Sequence, residues 1–211
     1  SDWRERLLAA RPEGARRLAD VRKAILVEAF SKTLADIGGY NFVAETPIFK
    51  PLAERTLYSL IYATRKSPGI EVFRRSQVKT LREQEAVRGS IRQAKISGAQ
   101  TEAFLPSEMT SSETEAYLEL ERLSAKRYFL DLVGEILPNS TYGDLWPRVL
   151  AKHAITKAEL NSIAASFRKE GRLSFPDWQA GKRIPSDEWR VFDPARAEPE
   201  GADVDLRESD C

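Results

Sequence analysis

The residues whose types and spacing best suit chemistry lie between Lys157 and Arg172. Lys157, Asn161, Arg168 and Arg172 fall within about 60° of one another on a helix of 3.6 residues per turn. Three cations in one stripe can contact phosphates, and an amide among them can read a base edge. They flank an apolar face of Leu160, Ile163, Ala164 and Phe167. Lys182 and Arg183 follow in a Gly-Lys-Arg turn, placed as a wing tip would be, and Trp178 would pack beneath them or stack on a base. The plainer alternative is a solvated helix face, because Thr141 to Phe192 holds nine bases against six acids. A second polar group, Thr64, Arg65 and Lys66, closes a run of β-branched and aromatic residues. Strand ends are where sheet proteins often hold ligands. A polar turn before a helix is the competing reading.

Other chemistries find little support. The single histidine, His153, and the single cysteine, Cys211, leave a zinc site without its ligands. His153 falls near a helix C-terminus, where a cation or capping donor is favourable, and is read as structural. No Gly-x-Ser-x-Gly elbow and no phosphate-cradling glycine loop is present. No catalytic, cofactor-binding or metal-ligating residue is therefore assigned, and no cofactor is expected in this chain.

The elements that must position these groups follow from periodicity. Leu18–Ile37 reads as a helix on the stripe Val21, Ile25, Leu26, Ala29, Phe30 and Leu34, stopped by Gly38-Gly39. Tyr40–Phe49, interrupted by Pro47, and Thr56–Thr64 read as antiparallel strands, the second apolar enough to be covered on both faces. A long polar helix runs from Gly69 to about Ser97, then a loop to Ser112. Ser112-x-x-Glu115 is a capping box for a helix to Leu137, ended by Pro138-Asn139. Asp144 caps a short helix through His153, with Pro147 in its first turn and Leu145, Trp146, Val149 and Leu150 inward. Thr156-x-x-Glu159 opens a helix to Glu170, and Gly171 supplies a left-handed stop. RLSFPDW and EWRVF then read as two short strands. Helix, helix, hairpin is the order of a winged helix-turn-helix, with one helix fewer than usual.

Composition sets the frame. The chain has 211 residues, 42% hydrophobic and 31% charged, the profile of a water-soluble chain with a core. No apolar run approaches a membrane span, and the charged opening SDWRERLL does not read as a signal peptide. A lone cysteine fits a reducing cytoplasm. The net charge of +1 conceals an asymmetry. Arg65–Lys95 carries nine bases and three acids, whereas Asp193–Cys211 carries seven acids and two bases and reads as a disordered acidic tail.

LYSLIYATRKSPGIEVFRR, preceded by GGYNFVAETPIF and followed by a long helix, resembles the second half of the three-Cys-motif partner proteins. In that family an aromatic-rich strand ends in Ala-Thr and passes through a Pro-Gly or Lys-Gly turn into a helix. The matching positions are Tyr62-Ala63-Thr64 and Pro68-Gly69. SDWRERLL is similar to a Trp-containing segment upstream, and TYGDLWPRVLAKHAITKAELNSIAASFRKEGRLSFPDW to a C-terminal winged-helix domain.

The resemblance implies a mixed α/β, mostly helical chain. Residues 1–100 would hold the antiparallel end of a methyltransferase-type sheet and the long basic helix. Residues 101–138 would form a linker and connecting helix, 139–192 a winged-helix domain, and 193–211 the acidic tail. It implies S-adenosylmethionine for the full-length family, with the cofactor strands outside this chain. Whether the chain is a fragment, works without chemistry or is completed by another chain stays open. The partners implied are DNA or RNA and a radical-type protein with three cysteines. Two strands alone do not make a stable sheet, so the long helices or a second chain, a second copy included, must cover them. A non-catalytic protein–protein adaptor is the alternative function.

Overall fold

The computed structural model describes residues 2–10, 15–49, 56–98, 113–135 and 140–195. Their order is α1 (Trp3–Ala9), α2 (Ala15–Gly38), β1 (Phe42–Phe49), β2 (Thr56–Thr64), α3 (Ser67–Gly98), α4 (Glu113–Glu135), α5 (Tyr142–Lys152) and α6 (Lys157–Lys169). The described chain is thus mostly helical with one antiparallel strand pair. The capping serine Ser112, the Pro138-Asn139 stop, most of the loop before Ser112 and the tail beyond Ala195 lie outside the described residues.

Asp2 opens α1 by accepting the Arg4 N–H at 3.1 Å, and α1 packs on α2. α2 ends at Gly38, and Gly39 takes a positive φ of 61° that a side chain would disfavour. The apolar stripe expected on α2 is only partly used. Ile25 is buried, whereas Leu26 and Phe30 are exposed.

β1 and β2 pair from Phe42↔Thr64 to Phe49↔Thr56, with an irregularity between Ile48 and Phe49. Strand periodicity puts Phe42, Ala44, Thr46 and Ile48 on one face with Thr64, Tyr62, Leu60 and Tyr58. Ala44 joins the main core on that face, and Phe42 and Tyr62 pack against it. α2 packs on both strands as well. Coverage stops partway: Leu57, Tyr58 and Leu60 are exposed. The expectation of two covered faces is therefore corrected for the first half of β2. Pro47 does not interrupt β1 but pairs with Ser59, which a strand with an unpaired edge tolerates.

The main core gathers Phe129, Leu132 and Val133 of α4, Leu145, Trp146, Val149 and Leu150 of α5, and Leu160, Ile163, Ala164 and Phe167 of α6. Ala44 of β1 and Ile70 of α3 belong to the same cluster, so the strand pair and the last helices share one interior. Val78, Leu81 and Leu118 form a smaller cluster between α3 and α4.

The start of α5 differs from expectation. Thr141 is the N-cap, and Asp144 is the third helical residue of a capping box. Asp144 Oδ2 accepts both the Thr141 N–H at 3.0 Å and its hydroxyl at 2.7 Å. Either Thr or Asp can cap, and pairing them moves the start three residues earlier. Pro147 consequently sits inside the helix, past its first turn. α6 matches its capping box, Thr156 with Glu159, and Gly171 follows with φ 71°. The two strands expected after it are not formed. Thr141↔Arg190 and Ser174↔Phe192 are isolated antiparallel bridges, joined by turns and bends.

Candidate functional site

The stripe on α6 divides once its partners are seen. Lys157 Nζ lies 3.0 Å from Asp187 Oδ2 and 4.1 Å above the Trp146 ring, so its charge is already neutralised. Asn161 is buried, and its Oδ1 accepts the Tyr142 hydroxyl at 2.8 Å. Burial raises the Tyr142 hydroxyl well above its ordinary pKa, with Asp187 adding to the effect, so it acts as a neutral donor. The base-edge role expected for Asn161 is therefore corrected to a buried tie between α5 and α6. Its position on the edge of the apolar stripe was compatible with either orientation.

The other stripe residues stay outward. The Arg168 guanidinium stacks 4.4 Å above the Trp178 ring, and Arg168 is exposed without an ion pair among the described residues. Arg172 lies 4.5 Å over Phe167 with a loose contact to Glu170 at 3.8 Å. Trp178 packs against Phe175 and Trp189, and its Nε1 donates to the Lys182 carbonyl at 3.2 Å. That bond closes the turn holding Lys182, Gly181 at φ 81° and Arg183. Lys182 and Arg183 are exposed and unpaired among the described residues. Arg168, Trp178 and Lys182 are thus one contiguous feature, cation on indole on turn.

The strand-end group is elsewhere. Thr64 Oγ1 accepts the Lys66 N–H at 3.2 Å, making a local turn. Arg65 Nη2 donates to the Gly38 carbonyl at 2.7 Å, capping α2, and its guanidinium lies 4.9 Å over Tyr40. A Cβ on Gly69 would fall 2.5 Å from Thr64 Oγ1. This glycine serves close packing of α3 on the strand end. Arg65 and Lys66 do face a cleft of about 890 Å³, with Asn41, Asp144 and Arg148 on its walls. Arg148 was not singled out from the sequence. It is an unremarkable helical arginine until α5 is laid beside the strand end.

His153 caps α5, with Nδ1 3.3 Å from Glu121 Oε2 of α4. Glu121 also accepts the Ala154 N–H at 2.9 Å. The ring thus ties the end of α5 to α4 rather than donating to the last carbonyls of α5; the cap bond, to the Val149 carbonyl, is made by the His153 backbone N–H. Among the described residues no group of three or more His, Cys, Asp or Glu could hold a metal ion. No helix there is long and apolar enough to cross a membrane. No family model, curated protein or solved structure matches the chain.

Proposed function

We propose that this chain is the C-terminal portion of a protein like the three-Cys-motif partners, and that α4, α5, α6 and the segment after them act as a winged helix-turn-helix on nucleic acid. In this reading β1 and β2 are the antiparallel end of a methyltransferase-type sheet, and methyl transfer with S-adenosylmethionine belongs to polypeptide outside this chain. One observation carries it: the order α4, bridged Thr141, α5, α6, bridged Ser174, turn, bridged Arg190 and Phe192. Val191 N donates to the Ser140 carbonyl at 3.2 Å and Ser174 N to the Phe192 carbonyl at 2.9 Å. Three extended segments thus meet beside a helix pair, as in a wing. In this reading α4, expected from the sequence as a connecting helix, would be the further helix of the module.

With Asn161 buried and Lys157 paired, contact falls to Arg168, Arg172, Lys182 and Arg183. All are phosphate-directed cations, so binding tolerates sequence changes in the duplex. Arg168→Ala with Lys182→Ala is expected to weaken duplex binding and lower the salt slope by close to two units, one per lost phosphate contact. Fluorescence anisotropy at several salt concentrations measures both. Unchanged affinity and slope would sink the reading.

The exposed Leu57, Tyr58 and Leu60 of β2 and Leu26 and Phe30 of α2 favour a second reading, a protein–protein adaptor. Apolar surface of this kind gains free energy when another chain covers it. A dimer by light scattering that ignores salt, with no affinity for DNA or RNA, would support the adaptor instead.

A further inference from the structure

Arg65, Lys66 and Arg148 come from separate parts of the chain and line one cleft. Arg65 and Lys66 occupy the turn between β2 and α3, and Arg148 sits on α5. The single acid on the walls is Asp144, whose Oδ2 is tied to Thr141 of the α5 cap. The charged lining is therefore three cations and one anion. Arg65 is anchored at Nη2 by the Gly38 carbonyl, and its own carbonyl accepts the Asn41 amide at 2.8 Å. A guanidinium has five N–H donors, so this anchoring fixes the group and leaves donors over. Lys66 and Arg148 are exposed and form no ion pair within 4 Å among the described residues, although the charge of Arg148 is felt by Asp144 one helical turn earlier, so Asp144 offsets part of one cation of the three. Like charges gathered around one concavity repel, and an anion within it relieves that repulsion.

We propose that this cleft binds the phosphate groups of a nucleotide-sized ligand, either a free nucleoside polyphosphate or the backbone of a single-stranded nucleic acid. The fork of an arginine and the point charge of a lysine both suit phosphate oxygens. A volume of about 890 Å³ lies within the range of roughly 300–1,000 Å³ typical of small-molecule sites. A lone carboxylate or sulfate would leave most of it empty. None of these residues lies on α6, so the site does not rest on the winged-helix reading.

The full chain is titrated at low salt with ATP and, separately, with a labelled single-stranded oligonucleotide. The wild type is compared with Lys66→Ala/Arg148→Ala and with Arg168→Ala/Lys182→Ala. At least one probe binds the wild type, and the cleft pair weakens it by about tenfold or more, as the loss of charged hydrogen bonds requires. The Arg168/Lys182 pair leaves ATP binding unchanged. ATP binding lost in the cleft pair assigns a free nucleotide; oligonucleotide binding alone, lost in the same pair, assigns backbone phosphates. Circular dichroism checks folding, and Lys66→Gln carries the same test if the alanine pair loses helix. No binding of either probe, or binding unaffected by the cleft substitutions, overturns the proposal and leaves the duplex test of Arg168 and Lys182 standing.

Discussion

Glu121 shows how much a single carboxylate can hold. Burial alone would raise its pKa, but the contact with His153, the Ala154 N–H and the field of Arg74 carry it below its ordinary value of 4.5. A carboxyl depressed in the folded state contributes stability that is complete above its unfolded pKa. That stability is lost as the pH falls through the folded value. Stability should therefore hold down to about pH 4.5 and decline below it. Glu121→Gln should lower the melting temperature at pH 7 and flatten the decline below about pH 4.5. Glu159, tied to Arg122 at 2.8 Å and to the α6 cap, keeps part of the slope. Parallel melting curves for wild type and Glu121→Gln across that range would contradict the assignment.

At the scale of an element, α5 is the helix on which the rest converges. It packs on β1, α3, α4 and α6, and its first turn is clamped at both sides. Tyr142 N donates to the Trp189 carbonyl at 2.8 Å and Gly143 N to the Asp187 carbonyl at 2.7 Å. A Cβ on Gly143 would meet that Asp187 oxygen at 2.8 Å. The obstacle is backbone, which cannot rotate away as a side chain can. Gly143→Ala is expected to cost about 1–3 kcal/mol, as overpacking does, and urea titration reads it as a lower midpoint. The same change pushes on Asp187, the partner of Lys157, so crowding at the start of α5 is transmitted to α6. A midpoint equal to wild type would show that the two backbones part without cost.

Across the whole molecule, one buried cation joins the strand pair to the helical end. Arg74 of α3 is 1% exposed. Its guanidinium donates to the carbonyls of Leu150 at 2.5 Å, Ala151 at 2.9 Å and Glu45 at 2.9 Å, and to Gln77 Oε1 at 2.5 Å. Two of these acceptors are last-turn carbonyls of α5, the negative end of the helix dipole. Burial lowers the Arg74 pKa to about 10, against the fields of Tyr117, Glu121 and Glu45, so it remains charged at neutral pH. Arg74→Met keeps length and apolar volume but strands the acceptors. Each buried acceptor left without a donor costs about 1–3 kcal/mol, partly offset by no longer burying a charge. The expected net loss is about 2–4 kcal/mol, measured by denaturant unfolding. A variant as stable as wild type would mean that the acceptors find other donors, and that Arg74 is not what couples β1, α3 and α5.

The sequence alone determined what depends on neighbours a few residues apart. The antiparallel pairing of β1 with β2 and the span of Thr56–Thr64 were legible from the run of β-branched and aromatic residues and the short turn-like, charged connection between the strands. So were the Thr156–Glu159 box and the left-handed stop at Gly171, which bracket α6. The strands read from RLSFPDW and EWRVF were not realised, because β propensity is a weak preference that tertiary context overrides. Only the tertiary structure decided that Asn161 turns inward to Tyr142, that Arg168 rests on Trp178, and that Arg148 joins Arg65 and Lys66. It also decided that Arg74, one basic residue among nine in its segment, is buried. Helical periodicity fixes the angle at which a side chain leaves its helix, but not whether solvent, a carboxylate or another helix waits there. That is set by packing between residues far apart in the chain.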